Sequence, residues 1–335
     1  MKKILFTILA MILLLYSCGF VKDPAKGAFD KVIVLANEEM QDTLKNTVDD
    51  CFSYGIRTPA FQEFFYTQWE DIGKFETFSE YKNVILIANP SEKGQERNML
   101  KAILPEKNYQ LVLQDSLHIF SLEDPFAKDQ VMIIIAGSDI DKIRANIKEQ
   151  KDWIYTKIDK EYVDRVTDYI YKQYENKGDT RHIWKNNAWT FRVPNNYKIL
   201  EEKKNFIWLG RQNPFRWISF YWEKGFNTDL MNMDGLLEQR NQMGAWYDSV
   251  GTDTSALGFY YTTFNGRDAL KMYGLWFHKK QTKGGPFASY AFYDEHTDRT
   301  FVVDYLIYYP GHRVTNLFRQ LDIIVKTFTT RYKEK

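Results

Sequence analysis

Three short runs constrain this chain most: KVIVLAN (31–37), NVILIAN (83–89) and QVMIIIAG (130–137). Each is continuously apolar and β-branched, without the polar alternation of a strand that has one wet face. Strands of this kind have to be covered on both sides. Helices are expected to do the covering. The first run leads into a helix over 38–54, with Asn37 as its cap, Met40, Leu44, Val48 and Cys51 at helical spacing, and Gly55 as its stop. In this reading Cys51 is a small core residue. The second run precedes a helix around SEKGQERNMLKAIL. The third precedes one long helix from Asp139 to Tyr174, capped by Ser138 and striped with Ile140, Ile143, Ile147, Ile154, Ile158, Val166 and Ile170. LVLQDSLHIF (111–120) reads as a hairpin beside the sheet. Residues 30–177 are therefore expected to form an α/β layer domain.

After NKGDTRH (176–182) the pattern changes. WTFRVPNNYKIL alternates Trp189, Phe191 and Val193, turns at Pro194-Asn195-Asn196 and resumes with Tyr197 and Ile199, which predicts a hairpin. NFIWLG, FRWISFYW, ALKMYGLWFH, FASYAFYD and TFVVDYLIYY read as further strands, separated by turns such as NGRD and KGGP. A helix is expected over 234–247. VTNLFRQLDIIVKTF closes the chain as an amphipathic helix, with Val314, Leu317, Phe318, Leu321, Ile324, Val325 and Phe328 on one face. The expectation for 180–332 is an antiparallel sheet with helices, so the whole is α+β in two domains. The order of elements in this second domain resembles the PsbP-like α/β sandwich.

The N-terminus supplies an address. The apolar stretch from Ile4 to Tyr16 would reach about 20 Å as a helix, against about 30 Å of hydrocarbon core. With Lys2 and Lys3 before it and small residues after it, it has the pattern of an export signal. Leu15-Tyr16-Ser17-Cys18 resembles the lipobox of bacterial lipoproteins. That resemblance implies cleavage after residue 17 and acylation, with palmitate among the chains, of Cys18. Residues 1–17 are then a signal peptide and 18–29 a tether, flexible from Gly19 to Gly27. Gly19 in place of Asp looks like the outer-membrane sorting choice, and no acidic cluster follows. The periplasmic face of the outer membrane is the expected location, with the lipid as the membrane contact. The 45 Lys and Arg nearly balance the 44 Asp and Glu, which argues against nucleic acid as a partner.

NFIWLGRQNP, GLWFHKKQTKGGPFASYAFYDEHTDRTFVV and YYPGHRVTNLFRQLDIIVKTF resemble an uncharacterised Bacteroidetes lipoprotein family, the domain of unknown function 4837. KVIVLANEEM fits that family's opening strand and helix. The resemblance implies an exported, lipid-anchored protein of two domains and carries no catalytic residues to transfer.

Chemistry-bearing residues give no catalytic or metal motif. His296 in YDEHTDR sits with Asp294, Glu295 and Asp298 in a stretch that also suits a polar hairpin turn. His118, His182, His278 and His312 lack ligand spacing, and no cofactor is implied. Asp304, among Val302, Leu306 and Tyr308, is expected to pair with an arginine across the sheet or to face outward. Aromatics make up 16% of the chain. Trp208, Trp217, Trp222, Trp246 and Trp276 are the candidate ligand-binding residues of the second domain, because aromatic faces stack on sugars and grip peptides where they are exposed. The expected function is a non-catalytic binding or interaction module for an envelope protein or glycan. The alternative is a glycan- or cell-wall-acting hydrolase using paired carboxylates.

Overall fold

A computed structural model describes residues 22–58, 60–91, 94–172, 174–246 and 249–332. The expected signal segment, residues 1–17, and Cys18 lie outside the described residues. The chain divides into two compact units, one of residues 1–51 and 66–161, the other of 52–65 and 162–335.

In the first unit the three apolar runs become β1 (Lys31–Ala36), β5 (Asn83–Ala88) and β7 (Val131–Ala136), with every residue of β5 and β7 buried. They are the middle strands of a five-stranded sheet ordered β4-β1-β5-β7-β6. β4 (Tyr66–Asp71) pairs parallel with β1 at one edge, and β6 (Ile119–Glu123) antiparallel with β7 at the other. The helix α1 (Glu38–Asp49) starts where expected, because the Asn37 side chain accepts from Met40 N at 2.8 Å. Cys51 is fully buried and its thiol is pushed up to about 12 by burial, which fits a packing role. A four-residue helical turn, α2 (Phe75–Phe78), precedes β5. The helices α3 (Gln95–Ile103) and α4 (Glu106–Leu113) bring Leu100, Tyr109 and Val112 onto Ile33, Leu86 and Ile134.

Several expectations for this half are corrected. Residues 106–113 are helical, so 111–120 is no hairpin. The single long helix is two, α5 (Ile140–Glu149) and α6 (Lys151–Tyr171), separated at Gln150. The cap of α5 is Asp139, whose carboxylate accepts from Lys142 N at 2.9 Å, and not Ser138. The end of the tether is fixed: Ala25 N donates to Lys128 O and Lys26 N to Glu80 O, both at 2.8 Å.

The second unit begins with an insertion from the first half. β2 (Gly55–Arg57) and β3 (Phe61–Glu63) form a small hairpin. Phe65 beside it packs edge-on against Tyr162 at 5.5 Å, and Gln62 Oε1 accepts from Val314 N at 2.9 Å. After α7 (Lys177–Asn187) comes a seven-stranded antiparallel sheet ordered β11-β12-β13-β14-β10-β9-β8. Its strands are β8 (Lys198–Lys203), β9 (Phe206–Arg211), β10 (Phe215–Lys224), β11 (Val250–Phe264), β12 (Arg267–His278), β13 (Gly284–Asp294) and β14 (Arg299–Tyr308). Trp189, Phe191 and Val193 are buried as their alternation requires. Their segment joins no strand of the sheet, however, and makes one two-way bridge between Thr190 and Thr329.

Helices cover both faces of this sheet. α9 (Thr315–Val325) lies on the face carrying Ile218, Phe220, Tyr290, Phe301 and Tyr305. α8 (Met233–Trp246) lies on the face carrying Phe206, Met272, Val302 and Leu306. The covering explains why FRWISFYW and TFVVDYLIYY are apolar at odd and even positions alike.

Three carboxylates inside the unit are paired. Asp304, 1% exposed, takes Arg240 Nε at 2.9 Å, so its arginine descends from α8 and does not lie across the sheet. Ser289 Oγ also donates to it, and the Arg240 guanidinium lies 3.5 Å from the centre of the Phe287 ring. Asp294 accepts from Arg267 Nε at 2.7 Å and from Thr297 N at 2.9 Å, which makes YDEHTDR the β13–β14 turn, with His296 inside it. Asp322 on α9 accepts from Tyr290 and Tyr305 hydroxyls, each at 2.7 Å, and from Lys326 Nζ at 2.8 Å. Burial alone would push the Asp322 carboxyl up, but Lys271, Lys326 and the Tyr290 hydroxyl hold it well below the usual range.

Two outcomes follow. Arg240→Met leaves a buried carboxylate without its cation and should cost about 3–5 kcal/mol, whereas Arg240→Met with Asp304→Leu should recover most of that loss, as read by urea denaturation. Asp322, depressed in the folded state, stabilises the fold above pH of about 4 and loses that contribution as pH falls further. The stability gap between wild type and Asp322→Asn should therefore be widest near neutrality and shrink in acid. A gap that stays constant from pH 7 to pH 2 would contradict the assignment.

Candidate functional site: an aromatic cleft on the helix α8 face

Strand alternation decides where the five candidate tryptophans point. Trp208 on β9, Trp217 on β10 and Trp276 on β12 share the face that α8 covers. Trp208 and Trp217 meet at 5.8 Å between ring centres, and Trp217 and Trp276 at 5.9 Å. Trp246, the last residue of α8, belongs to the same face through Phe206 at 5.0 Å and Tyr221 at 6.0 Å. Trp222 does not. It lies one strand position out of phase, on the α9 face, packed edge-on against Trp189 at 5.0 Å as part of the core.

Exposure separates the remaining four. Trp276 is 2% exposed and structural. It stands directly across from Gly285, and a Cβ there would lie 2.3 Å from Ile307 O and 3.3 Å from the Trp276 indole nitrogen. The bare glycine lets the indole cross β13 and donate from Nε1 to Ile307 O at 3.1 Å. Pro286, the next residue of β13, has no N–H to offer that carbonyl. Trp208, Trp217 and Trp246 are half-buried.

Trp208 and Trp217 wall a cleft of about 470 Å³ together with Phe215, Leu200, Gly210, Arg211, Asn196, Lys198 and Gln212. Gly210 pairs with Trp217, and a Cβ on it would sit 2.7 Å from both the Trp217 ring and the Leu200 side chain. The indole therefore lies close against backbone, with its outer surface turned to the cleft. Amide and cationic groups rim two aromatic rings here, an arrangement suited to a ligand with apolar faces and hydroxyl or acyl edges.

A second cleft, of about 700 Å³, opens where β12, β13 and β14 end. Phe277, 44% exposed, Tyr309 and His312 line it, the last two stacked at 4.1 Å. Hydrolysis by paired carboxylates needs two converging acids. The tryptophan cleft is lined by none and the larger cleft by Asp253 alone. Among the described residues, no three His, Cys, Asp or Glu side chains converge as metal ligands would. No helix among the described residues is long and apolar enough to cross a membrane.

A search of curated proteins finds no match to the chain. Solved structures match parts of the chain at low identity. Cyanobacterial PsbP from Synechocystis is 8% identical, with a TM-score of 0.31 over 42% of this chain and 86% of its own. The Ran-binding protein Mog1p of Saccharomyces cerevisiae is 10% identical, with a TM-score of 0.30 over 43% of this chain and 91% of its own. LpqN, involved in cell envelope biogenesis of Mycobacterium tuberculosis, is 13% identical, with a TM-score of 0.28 over 42% of this chain and 82% of its own. Two family models divide the sequence between them. Residues 25–171 match Domain of unknown function (DUF8532), and residues 176–327, the part that carries the aromatic cleft, match Domain of unknown function (DUF4837).

Proposed function

We propose that this protein is a lipoprotein of the bacterial outer membrane, held by acyl chains on Cys18, whose second unit binds an envelope glycan without cleaving it. The observation that carries the reading is the pair of half-buried indoles, Trp208 and Trp217, facing one cleft with Asn196 and Gln212 at its rim. Pyranose rings present C–H faces to aromatic surfaces and hydroxyls or acetamido groups to side-chain amides. A carboxylate-free lining supports binding over hydrolysis, and a cleft of this size takes one or two sugar rings. The lipobox-like end supplies the address: acyl chains retain the protein at the membrane, and Gly19 after the cysteine favours the outer membrane.

Calorimetric titration of the full chain with neutral chitooligosaccharides tests the cleft. Saturable binding is expected, weakened at least tenfold by Trp217→Ala, and weakened also by Gly210→Ala, which pushes the indole off its seat. Unsaturable heats, equal affinity in both variants, or release of new reducing ends would each sink the reading. Mass spectrometry of the membrane-extracted protein should find a first residue of Cys18 carrying fatty acids; an intact Met1 would remove the anchor.

A further inference from the structure

Arg211 on β9 and Arg216 on β10 stand directly opposite each other, on the face covered by α9. Like charges placed this way across a sheet repel. Arg216 is 4% exposed, and its Nη1 donates to Gln320 Oε1 at 3.0 Å. Among the described residues its Nε finds no partner, nor does the buried Nε of Arg211 or the buried hydroxyl of Tyr197. Among the described residues neither arginine has a carboxylate partner. Burial drives Arg216 toward losing its proton, and the Arg211 charge adds to that drive. Burial likewise pushes Tyr197 up to about 12, and the two arginines work against that rise. Two other arginines of this unit are given carboxylates: Arg240, buried on α8, has Asp304, and Arg267, partly exposed on β12, has Asp294.

We propose that Arg211, Arg216 and the Tyr197 hydroxyl form an oxyanion-binding site, for a phosphate, sulfate or carboxylate group. The cluster offers two guanidinium Nε–H donors and a phenol hydroxyl that can donate or accept. A cation would be repelled, and a neutral acceptor would leave two facing positive charges uncompensated. An oxyanion satisfies both, since guanidinium forks match its geometry and charge-assisted bonds are the stronger kind. Arg211 is the partly exposed member of the cluster, and it also borders the 470 Å³ cleft. The inference does not rest on glycan binding, since among the described residues the arginine pair lacks a carboxylate whatever the tryptophans hold.

Calorimetric melting of the full chain at fixed ionic strength, with sodium chloride replaced by phosphate, sulfate or glucuronate, tests it. At ten times the dissociation constant, the preferred anion should raise Tm by about 2 °C, saturably. The inorganic ions probe the tetrahedral group, and glucuronate the carboxylate on a sugar. Arg216→Met should abolish the shift and, without added anion, melt no lower than wild type, because it removes an unpaired buried charge. Arg211→Gln, at a partly exposed position, should raise the half-saturating anion concentration at least tenfold and carries the test if Arg216→Met does not fold. Wild-type melting that is unchanged in all three anions, or shifts that persist in both variants, would overturn the site. Chitooligosaccharide carries no anion, so loss of its binding leaves this result untouched.

Discussion

The second unit depends on one buried ion pair, Arg240 with Asp304. Asp304 occupies the middle of the central strand β14, where a carboxylate without a cation would cost several kcal/mol. Arg240 reaches it from α8, stacks on Phe287 and, through Nη1, takes the Thr252 hydroxyl as well. Three elements, α8, β14 and β11, are thereby tied at one point inside an otherwise apolar layer. Apolar contacts alone would let α8 slide along the sheet, since they are non-directional. The charge pair gives the helix one register, and the Trp246 end of α8 follows from it.

Glycines opposite aromatics do the complementary work on the outer strands. Gly251 lies across from Phe277, and Gly258 across from Tyr273; in both cases a Cβ on the glycine would collide with the ring. The edge strand β11 thus lacks side-chain cover of its own and receives it from β12. The same device seats Trp276 over Gly285 and Trp217 over Gly210. At Gly210 the covering ring is half-buried beside Trp208, and that is where the tryptophan cleft opens.

Much of this was legible in the sequence. The apolar runs at 31–37, 83–89 and 130–137 are buried strands, because a strand covered on both faces has few ways to be written. α1 and α9 carry their stripes where the spacing puts them, and α8 spans Met233–Trp246 beside the expected 234–247. The misses share a cause, which is that non-local partners decide them. β11 is not among the expected strands, since VGTDTSALG is rich in turn formers and its cover comes from β12. Trp189 to Val193 alternates as a strand does, yet Thr327 Oγ1 and Thr180 Oγ1 accept from Arg192 N and Val193 N, and those groups are lost to any ladder. Trp222 was grouped with Trp217 by type and proximity, although five residues of strand put them on opposite faces.

The arginines show why the site itself was the least legible part. Arg211 and Arg216 are unremarkable singly, each a cation in a strand. Their meaning comes from the β9–β10 register, which sets them face to face, and from α9, which buries one of them. Arg240 is a buried arginine on α8, and there the chain places Asp304 beneath it, so the fold is able to provide a carboxylate where charge has to be neutralised for stability alone. At Arg216 it provides Gln320, whose amide oxygen satisfies one hydrogen and neutralises nothing. A buried cation kept without an anion of its own is a standing cost to the folded state. Such a cost persists where the charge serves something other than the fold, and an acceptor brought from outside is the partner that the three donor groups share.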